Sequence, residues 1–389
     1  MPYEAALGAK PEAILRPTSL EQLSGMVTTA AANGQSVIPW GGGTGQTYGY
    51  LPRRVDTVLE MTGLNRVLAH EFADLTVTVE AGITLAEVQE ALAQHNQYLP
   101  LDPPNPERAT IGGILACNAF GSGVVGVGSV RDWLIGITVV DAAGRIVRGG
   151  GKVVKNVTGY DLPKIHVGAL GTLGIIAEAT FKVAPRPEAT RVGVFTCVNP
   201  DFSTRLHDET APAMSLLRST PLGAVLAVLY SGMAKVVDSE LTRAANIAAE
   251  CREVGLSALP TGMLPPFGET LPESSLILRF SGPRSSSTRR HNGIADIGNW
   301  EMMDTYPGTG QTDVYLKPRS DPRKALNDSI VWATGNQASL SVLHASPEIR
   351  RSGLPLWHPE PPAMPWMRRL KATLDPKQIL NPGRFVGEI

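Results

Sequence analysis

The residues best placed to do chemistry are not acids or histidines but a run of glycines with a few hydroxyl and amide side chains. They lie in Pro39-Trp40-Gly41-Gly42-Gly43-Thr44-Gly45-Gln46-Thr47-Tyr48-Gly49, directly after the apolar pair Val37-Ile38. Each glycine costs backbone entropy on ordering, so such a run is not there for stability. It lets the main chain turn tightly and curve several N–H donors around one point, which makes an anion-binding concavity suited to a diphosphate. Thr44 and Gln46 add side-chain donors. Taken alone the run also reads as a glycine-rich surface turn. Three later segments look built to meet it: Ala109-Thr110-Ile111-Gly112-Gly113, Gly168-Ala169-Leu170-Gly171-Thr172-Leu173-Gly174-Ile175-Ile176, and the tail Asp375–Arg384.

Other chemistries find less support. Gly121-Ser122-Gly123-Val124-Val125-Gly126 fits G-x-G-x-x-G, with Asp141 near the distance of a ribose-binding acid. The residues after it are weak helix formers and no clear strand precedes it, so the context argues against a Rossmann site. The seven histidines form no H-x-x-x-H or H-x-H pair. No metal site is therefore expected. No G-x-S-x-G elbow or Walker A sequence is present. Cys117, Cys197 and Cys251 are odd in number and far apart, against a disulfide framework or an iron–sulfur site in this chain. They suggest a reducing, cytoplasmic compartment. A formal net charge of -1 gives no reason to expect nucleic acid or an anionic membrane. Met1–Lys10 lacks the apolar core of a signal peptide, and no apolar run reaches the ~20 residues that span a bilayer. Any membrane association is expected to come through a partner.

The elements that must position these segments alternate between strand and helix. Thr18 to Glu21 reads as a capping box with Thr18 as N-cap, opening a helix that Asn33-Gly34 stops. Ser36–Trp40, Val55–Glu60 and Leu75–Glu80 read as strands, and Thr84-x-x-Glu87 opens a second helix. Leu101–Pro106, with three prolines, is irregular; the segments at Ala109 and Gly121 read as a glycine turn and a further close-approach stretch. Leu134–Asp141 and Arg145–Arg148 form a hairpin, and Ile175–Val183 is a strand. From Arg191 the texture changes to strands at Val192–Val198, Ala224–Tyr230, Ser275–Phe280 and Asp313–Lys317. Helices near Ser203–Arg218, Val237–Val254 and from Ser285 lie between them, and Pro365–Leu374 forms a last helix. At 389 residues, two domains are the natural expectation. The fold class is α+β.

Taken in order, the loop Pro39–Gly49, the turn at Ala109–Gly113, Gly168–Ile176 and the tail Asp375–Arg384 resemble the vanillyl-alcohol-oxidase-type (PCMH-type) FAD-binding proteins. Among these the chain looks most like the smaller FAD-binding subunits of bacterial glycolate oxidases, also called glycolate dehydrogenases. Gly128-Ser129-Val130-Arg131-Asp132 and Lys155-Asn156-Val157-Thr158-Gly159-Tyr160-Asp161 carry that likeness. It covers most of Leu15–Pro185 and the last twenty-odd residues, and is weak between them.

The resemblance implies a two-subdomain FAD-binding domain over 1–185, an α+β cap or substrate domain over 186–345, and a C-terminal segment over 346–389 returning to the first. Gly41, Gly42, Gly43, Thr44, Gly45 and Gln46 would wrap the diphosphate. Thr110, Gly112, Gly113, Gly171, Thr172, Gly174 and Ile176 would meet the ribityl, ribose and ring through backbone groups, and Asn381 would bring the tail to the flavin. Thr44 stands where some relatives carry a flavin-bonding histidine, so non-covalent FAD is implied. The chain lacks the H-x-G-D-G-N-x-H and E-H-G stretches with which related hydroxy-acid enzymes hold metal and substrate; His344-Ala345-Ser346 is the nearest approach.

The function implied is oxidation of glycolate or another small 2-hydroxy acid such as D-lactate. A catalytic flavoprotein sister and an iron–sulfur subunit would be partners in a glycolate oxidase complex. Lys155, Tyr160 and Arg131 are the polar candidates near the ring, and no catalytic base is assigned. Two alternatives stand beside this: a flavin-containing assembly subunit with little turnover, and a stand-alone FAD-linked alcohol oxidase.

Overall fold

The structure is a computed structural model describing residues 3–151, 162–196, 199–250, 255–258, 276–297, 300–317 and 321–389. Lys155, Tyr160, Cys197 and Cys251 lie outside the described residues. Contacts divide the chain into one unit of Met1–Phe120, Gly128–Arg186 and Glu360–Ile389, and another of Gly121–Val127 and Pro187–Pro359. The change expected at 345/346 therefore falls later. Trp357–His358 still pairs with Ser339–Ala345, which keeps this stretch in the second unit to Pro359.

The first unit contains a small parallel sheet in the order Ala13–Leu15, Thr57–Glu60, Val37–Trp40. The helix Leu20–Asn33 packs Leu23, Val27, Ala30 and Ala31 into a cluster with Val37, Leu59, Ile379 and Leu380. It ends at Gly34, whose φ of 65° puts it in the left-handed region that glycine enters without a Cβ clash. Its start differs from the expected box by one residue. Ser19 is the N-cap and accepts from the Gln22 N–H, while Thr18 donates to the Gln22 side chain. The box at Thr84 and Glu87 is complete, opening Leu85–Ala93.

A five-stranded antiparallel sheet follows in the order Val67–Glu71, Thr76–Glu80, Ile175–Lys182, Leu134–Val140, Ile146–Gly150. Val77, Val79, Ile137, Val139 and Phe181 share one core with Leu85, Val88 and Leu92 of the second helix, and with Ile111, Ile114 and Leu115. Those last three belong to a helix, Ile111–Cys117, where a glycine turn is expected from sequence. Gly112 and Gly113 each disfavour a helix by about 1 kcal/mol. Burying three large aliphatic side chains at about 1.5–3 kcal/mol each outweighs that, and Thr110 caps the helix through its hydroxyl to the Gly113 N–H.

The second unit is one antiparallel sheet, nine strands among the described residues. The order is Gly255–Ala258, Ala189–Thr196, Gly223–Gly232, Met214–Thr220, Trp300–Tyr306, Gln311–Leu316, Leu276–Ser281, Ser339–Ala345, Trp357–His358. The helices Pro200–Thr210 and Ala234–Glu250 bury Phe202, Leu206, Val237, Ala244 and Ile247 against Phe195, Leu217, Leu226 and Val228. The helix expected over Ser203–Arg218 stops at Thr210, and Met214–Thr220 is a strand. Ala211 at φ 41° followed by Pro212 breaks the helix, and Leu216 and Leu217 are then buried in the sheet. Val124–Val127 forms one helical turn despite its weak formers. No helix among the described residues is long and apolar enough to cross a membrane.

Candidate functional site

The site grows from the end of the Val37–Trp40 strand. The tail pairs with that strand on its free side: the Val37 N–H donates to Ile379 O at 2.7 Å, and the Asn381 N–H donates to Val37 O at 2.9 Å. The chain then enters Gly41–Gln46. None of the six backbone N–H groups from Gly41 to Gln46 has an acceptor among the described residues. Half-buried main-chain donors are normally paired, so the five half-buried N–H groups of this loop, with the exposed Thr44 N–H among them, form a surface suited to an acceptor-rich group.

These residues line a cavity of about 660 Å³, its mouth included, within the first unit. Thr110, Gly112, Gly113, Gly171, Ile176 and Asn381 also line it, together with Pro39, Met61, Ala81, Ala116, Cys117, Leu170 and Arg384. Two residues expected there are not in the lining. Thr172 is buried, with its hydroxyl on Ala169 O and its carbonyl on the Lys371 ammonium. Gly174 lies against His166, whose Cε1 would be 2.9 Å from an added Cβ. Arg131, a candidate for the ring region, is exposed and outside the lining.

The glycines have two separate reasons to be glycine. A Cβ on Gly42 would sit 1.7 Å from Arg108 O, one on Gly41 2.1 Å from the Thr110 hydroxyl, and one on Gly45 2.4 Å from the Cys117 sulfur. Those three are required by the protein's own packing. Gly43 needs its φ of 76°, and Gly113 meets only the Thr110 hydroxyl at 3.2 Å. At Gly113 the missing side chain leaves room for a ligand. The backbone N–H groups of the helix start are already engaged within the protein. Ile111, Gly112 and Gly113 donate to Ile83 O, Ala81 O and the Thr110 hydroxyl.

Two features escape a reading by motif. The first is a buried latch under the tail. Lys371 Nζ donates to Asp375 Oδ2 at 2.6 Å, Thr172 O at 2.8 Å and Leu380 O at 2.9 Å. Asp375 in turn accepts from the Ile379 and Leu380 N–H groups. The i,i+4 spacing of Lys371 and Asp375 on a helix end, just before the Leu380-Asn381-Pro382-Gly383 run, is the signal that could have found it. The second is Arg384, only 2% exposed. Its Nε donates to Tyr48 O, and its Nη2 donates to Gln46 O at 2.7 Å and Gly45 O at 3.3 Å. Burial pulls its pKa down to about 10, so the group stays charged at neutral pH. Cys117 beside it is pushed up to about 11 by burial and stays a thiol.

Gln46 Oε1, Asn381 Oδ1 and Arg384 Nη1 are buried without a partner among the described residues. Arg384 is the one ionised side chain of the described lining. An apolar wall of Met61, Ala81, Ala116, Leu170 and Ile176, unpaired amide oxygens, a buried cation and a row of free N–H donors together fit a flat, partly apolar dinucleotide with an anionic middle.

Comparison with known proteins agrees with this geometry. Residues 11–150 match the FAD binding domain model, and 357–385 match the C-terminal domain of FAD linked oxidases. The glycolate oxidase subunit GlcD of Bacillus subtilis is 26% identical over 96% of this chain and 89% of that protein. The glycolate oxidase subunit GlcE of Escherichia coli is 40% identical, over 32% of this chain and 36% of that protein. A D-lactate dehydrogenase of Archaeoglobus fulgidus is 27% identical over all of this chain and 94% of its own length. A solved alkyldihydroxyacetonephosphate synthase superposes with a TM-score of 0.73 at 19% identity, covering 95% of this chain and 76% of that one. The fold is the PCMH-type FAD-binding fold, of α+β class. FAD is the cofactor.

Proposed function

We propose that this chain is the FAD-binding subunit of a complex that oxidises a small 2-hydroxy acid, with glycolate the leading substrate and D-lactate the next. The observation that carries the reading is the glycine-walled cavity, closed by the Asp375–Arg384 tail, in a chain similar to glycolate oxidase subunits and a D-lactate dehydrogenase. Bound FAD supplies a two-electron acceptor for the α-hydrogen of such an acid. The chain's own residues hold it: Gly41–Gln46 offer donors to the diphosphate, Gly113 leaves room, and Asn381 and Arg384 close the cavity from the tail. Thr44 lines the same loop, which supports non-covalent attachment.

The chain lacks the H-x-G-D-G-N-x-H and E-H-G stretches with which related hydroxy-acid enzymes hold metal and substrate. That favours substrate chemistry completed by a sister flavoprotein, with an iron–sulfur partner carrying electrons onward. It equally supports the second reading, a flavin-containing assembly subunit with little turnover of its own. Purification with native partners, followed by dye-linked assays on glycolate, D-lactate and D-2-hydroxyglutarate, tests the proposal. Activity on glycolate that disappears when this chain is omitted is the expected result. A complex equally active without it would leave only the assembly role.

A further inference from the structure

Resting on the assignment of FAD to this cavity, we propose that Arg384 is the counter-charge that selects the cofactor's diphosphate. Arg384 is only 2% exposed, and no carboxylate pairs with it among the described residues. A buried charge without an opposite charge is costly, and proteins normally pair it. Its three bonds to Tyr48, Gln46 and Gly45 carbonyls go to dipoles, not to an anion, and Nη1 has no partner among the described residues.

Those same bonds orient the loop. In a trans peptide the C=O and the following N–H point in opposite directions. With the Gly45 and Gln46 carbonyls turned to the guanidinium, the Gln46 and Thr47 N–H groups are turned away from it. Arg384 thus fixes the sense of the donor row and adds a buried full positive charge on the carbonyl side of the loop, behind those donors. Arg108, the other cation bonded to this loop, is exposed and donates to Gly42 O outside the lining. A pure staple for the loop would explain the three carbonyl bonds. It would not explain the unpartnered Nη1 or a buried charge left uncompensated. The planar fork suits arginine to this place, since Nε and Nη2 hold three carbonyls of the loop in one fixed geometry.

The test uses the deflavinated full chain and three probes: FAD, ADP (diphosphate without the flavin ring) and riboflavin (ring without phosphate). Binding is followed by flavin fluorescence or calorimetry, and each variant's thermal midpoint is recorded without ligand. Arg384→Met is expected to weaken FAD and ADP by about 10- to 150-fold, as for loss of a charged hydrogen bond, and riboflavin by less than about 3-fold. Arg384→Lys keeps the charge and should bind ADP at least tenfold better than Arg384→Met. Equal weakening of riboflavin, FAD and ADP would reduce Arg384 to a loop staple and overturn the proposal. If Arg384→Met does not fold, the lysine variant decides: selective retention of ADP supports the counter-charge, and parallel loss of ADP and riboflavin overturns it. Failure of the parent chain to bind FAD would instead sink the cofactor assignment beneath it.

Discussion

Replacing Asp375 by Asn should unlatch the tail and, with it, the cofactor cavity. Asp375 is fully buried and Lys371 is 4% exposed. The carboxylate accepts three bonds, from the Ile379 N–H on Oδ1 and from the Leu380 N–H and Lys371 Nζ on Oδ2. Asparagine presents one oxygen, so its amide nitrogen must face either an N–H or the ammonium, and the Lys371 charge loses its partner. Burial already pulls the Lys371 pKa down, which the Asp375 carboxylate opposes. Breaking one side of a buried pair costs about 3–5 kcal/mol. At about 2–4 °C per kcal/mol for a domain of this size, the thermal midpoint should fall by roughly 6–20 °C. FAD affinity should drop too, because the freed segment carries Asn381 and Arg384. The assay is urea and thermal unfolding by circular dichroism, with FAD titration, on Asp375→Asn, Lys371→Met and the double variant. The double variant should lose less than the two singles combined, because neither charge is then stranded. Strict additivity, or an Asp375→Asn stability within about 1 kcal/mol of the parent, would refute the latch.

Gly113→Val should abolish FAD binding while shifting the ligand-free midpoint by only a few degrees, whereas Gly42→Val should lose both, since its side chain meets Arg108 O; flavin occupancy beside thermal unfolding separates the two cases. Acid precipitation should release the flavin into the supernatant, as Thr44 offers no ring nitrogen for a covalent bond; a yellow pellet would contradict this. Stability should fall as pH drops from about 6.5 to about 4, because burial lowers the folded-state pKa values of His166, His207 and His291 to about 4. The unfolded chain then binds more protons across that window. Urea midpoints measured against pH for the parent and His291→Gln check it, the variant giving the shallower slope.

How much of this was legible in the sequence follows from how each residue earns its place. The glycine loop is readable because only a close backbone approach justifies such composition, and the strand before it is a plain apolar run. The helix at Ile111–Cys117 is hidden because its two glycines signal a turn, while the burial of Ile111, Ile114 and Leu115 that overrides them depends on a sheet assembled from distant segments. Met214–Thr220 is hidden for the converse reason: Leu206, Leu216 and Leu217 mimic one amphipathic run, and only Ala211-Pro212 separates helix from strand. The tail Asp375–Arg384 is legible as a segment, but the individual roles of Lys371, Asp375 and Arg384 are not, because no local pattern marks a charged side chain as buried. Their burial is a tertiary fact, set by the tail lying alongside Val37. Gly42 and Gly113 look alike in sequence, and only the neighbouring Arg108 carbonyl tells a packing glycine from one that leaves space.

The most direct measurement of the central claim is anaerobic stopped-flow absorbance of the flavin, recorded for the isolated FAD-loaded chain and for the chain assembled with a sister flavoprotein and an iron–sulfur subunit. With substrate chemistry proposed to be completed by a sister flavoprotein, glycolate should bleach the isolated chain slowly or not at all. In the complex, glycolate should reduce the flavin rapidly, with D-lactate second. Fast stoichiometric bleaching of the lone chain would make it a catalyst in its own right, and an assembled complex whose flavin no 2-hydroxy acid reduces would contradict the proposed function.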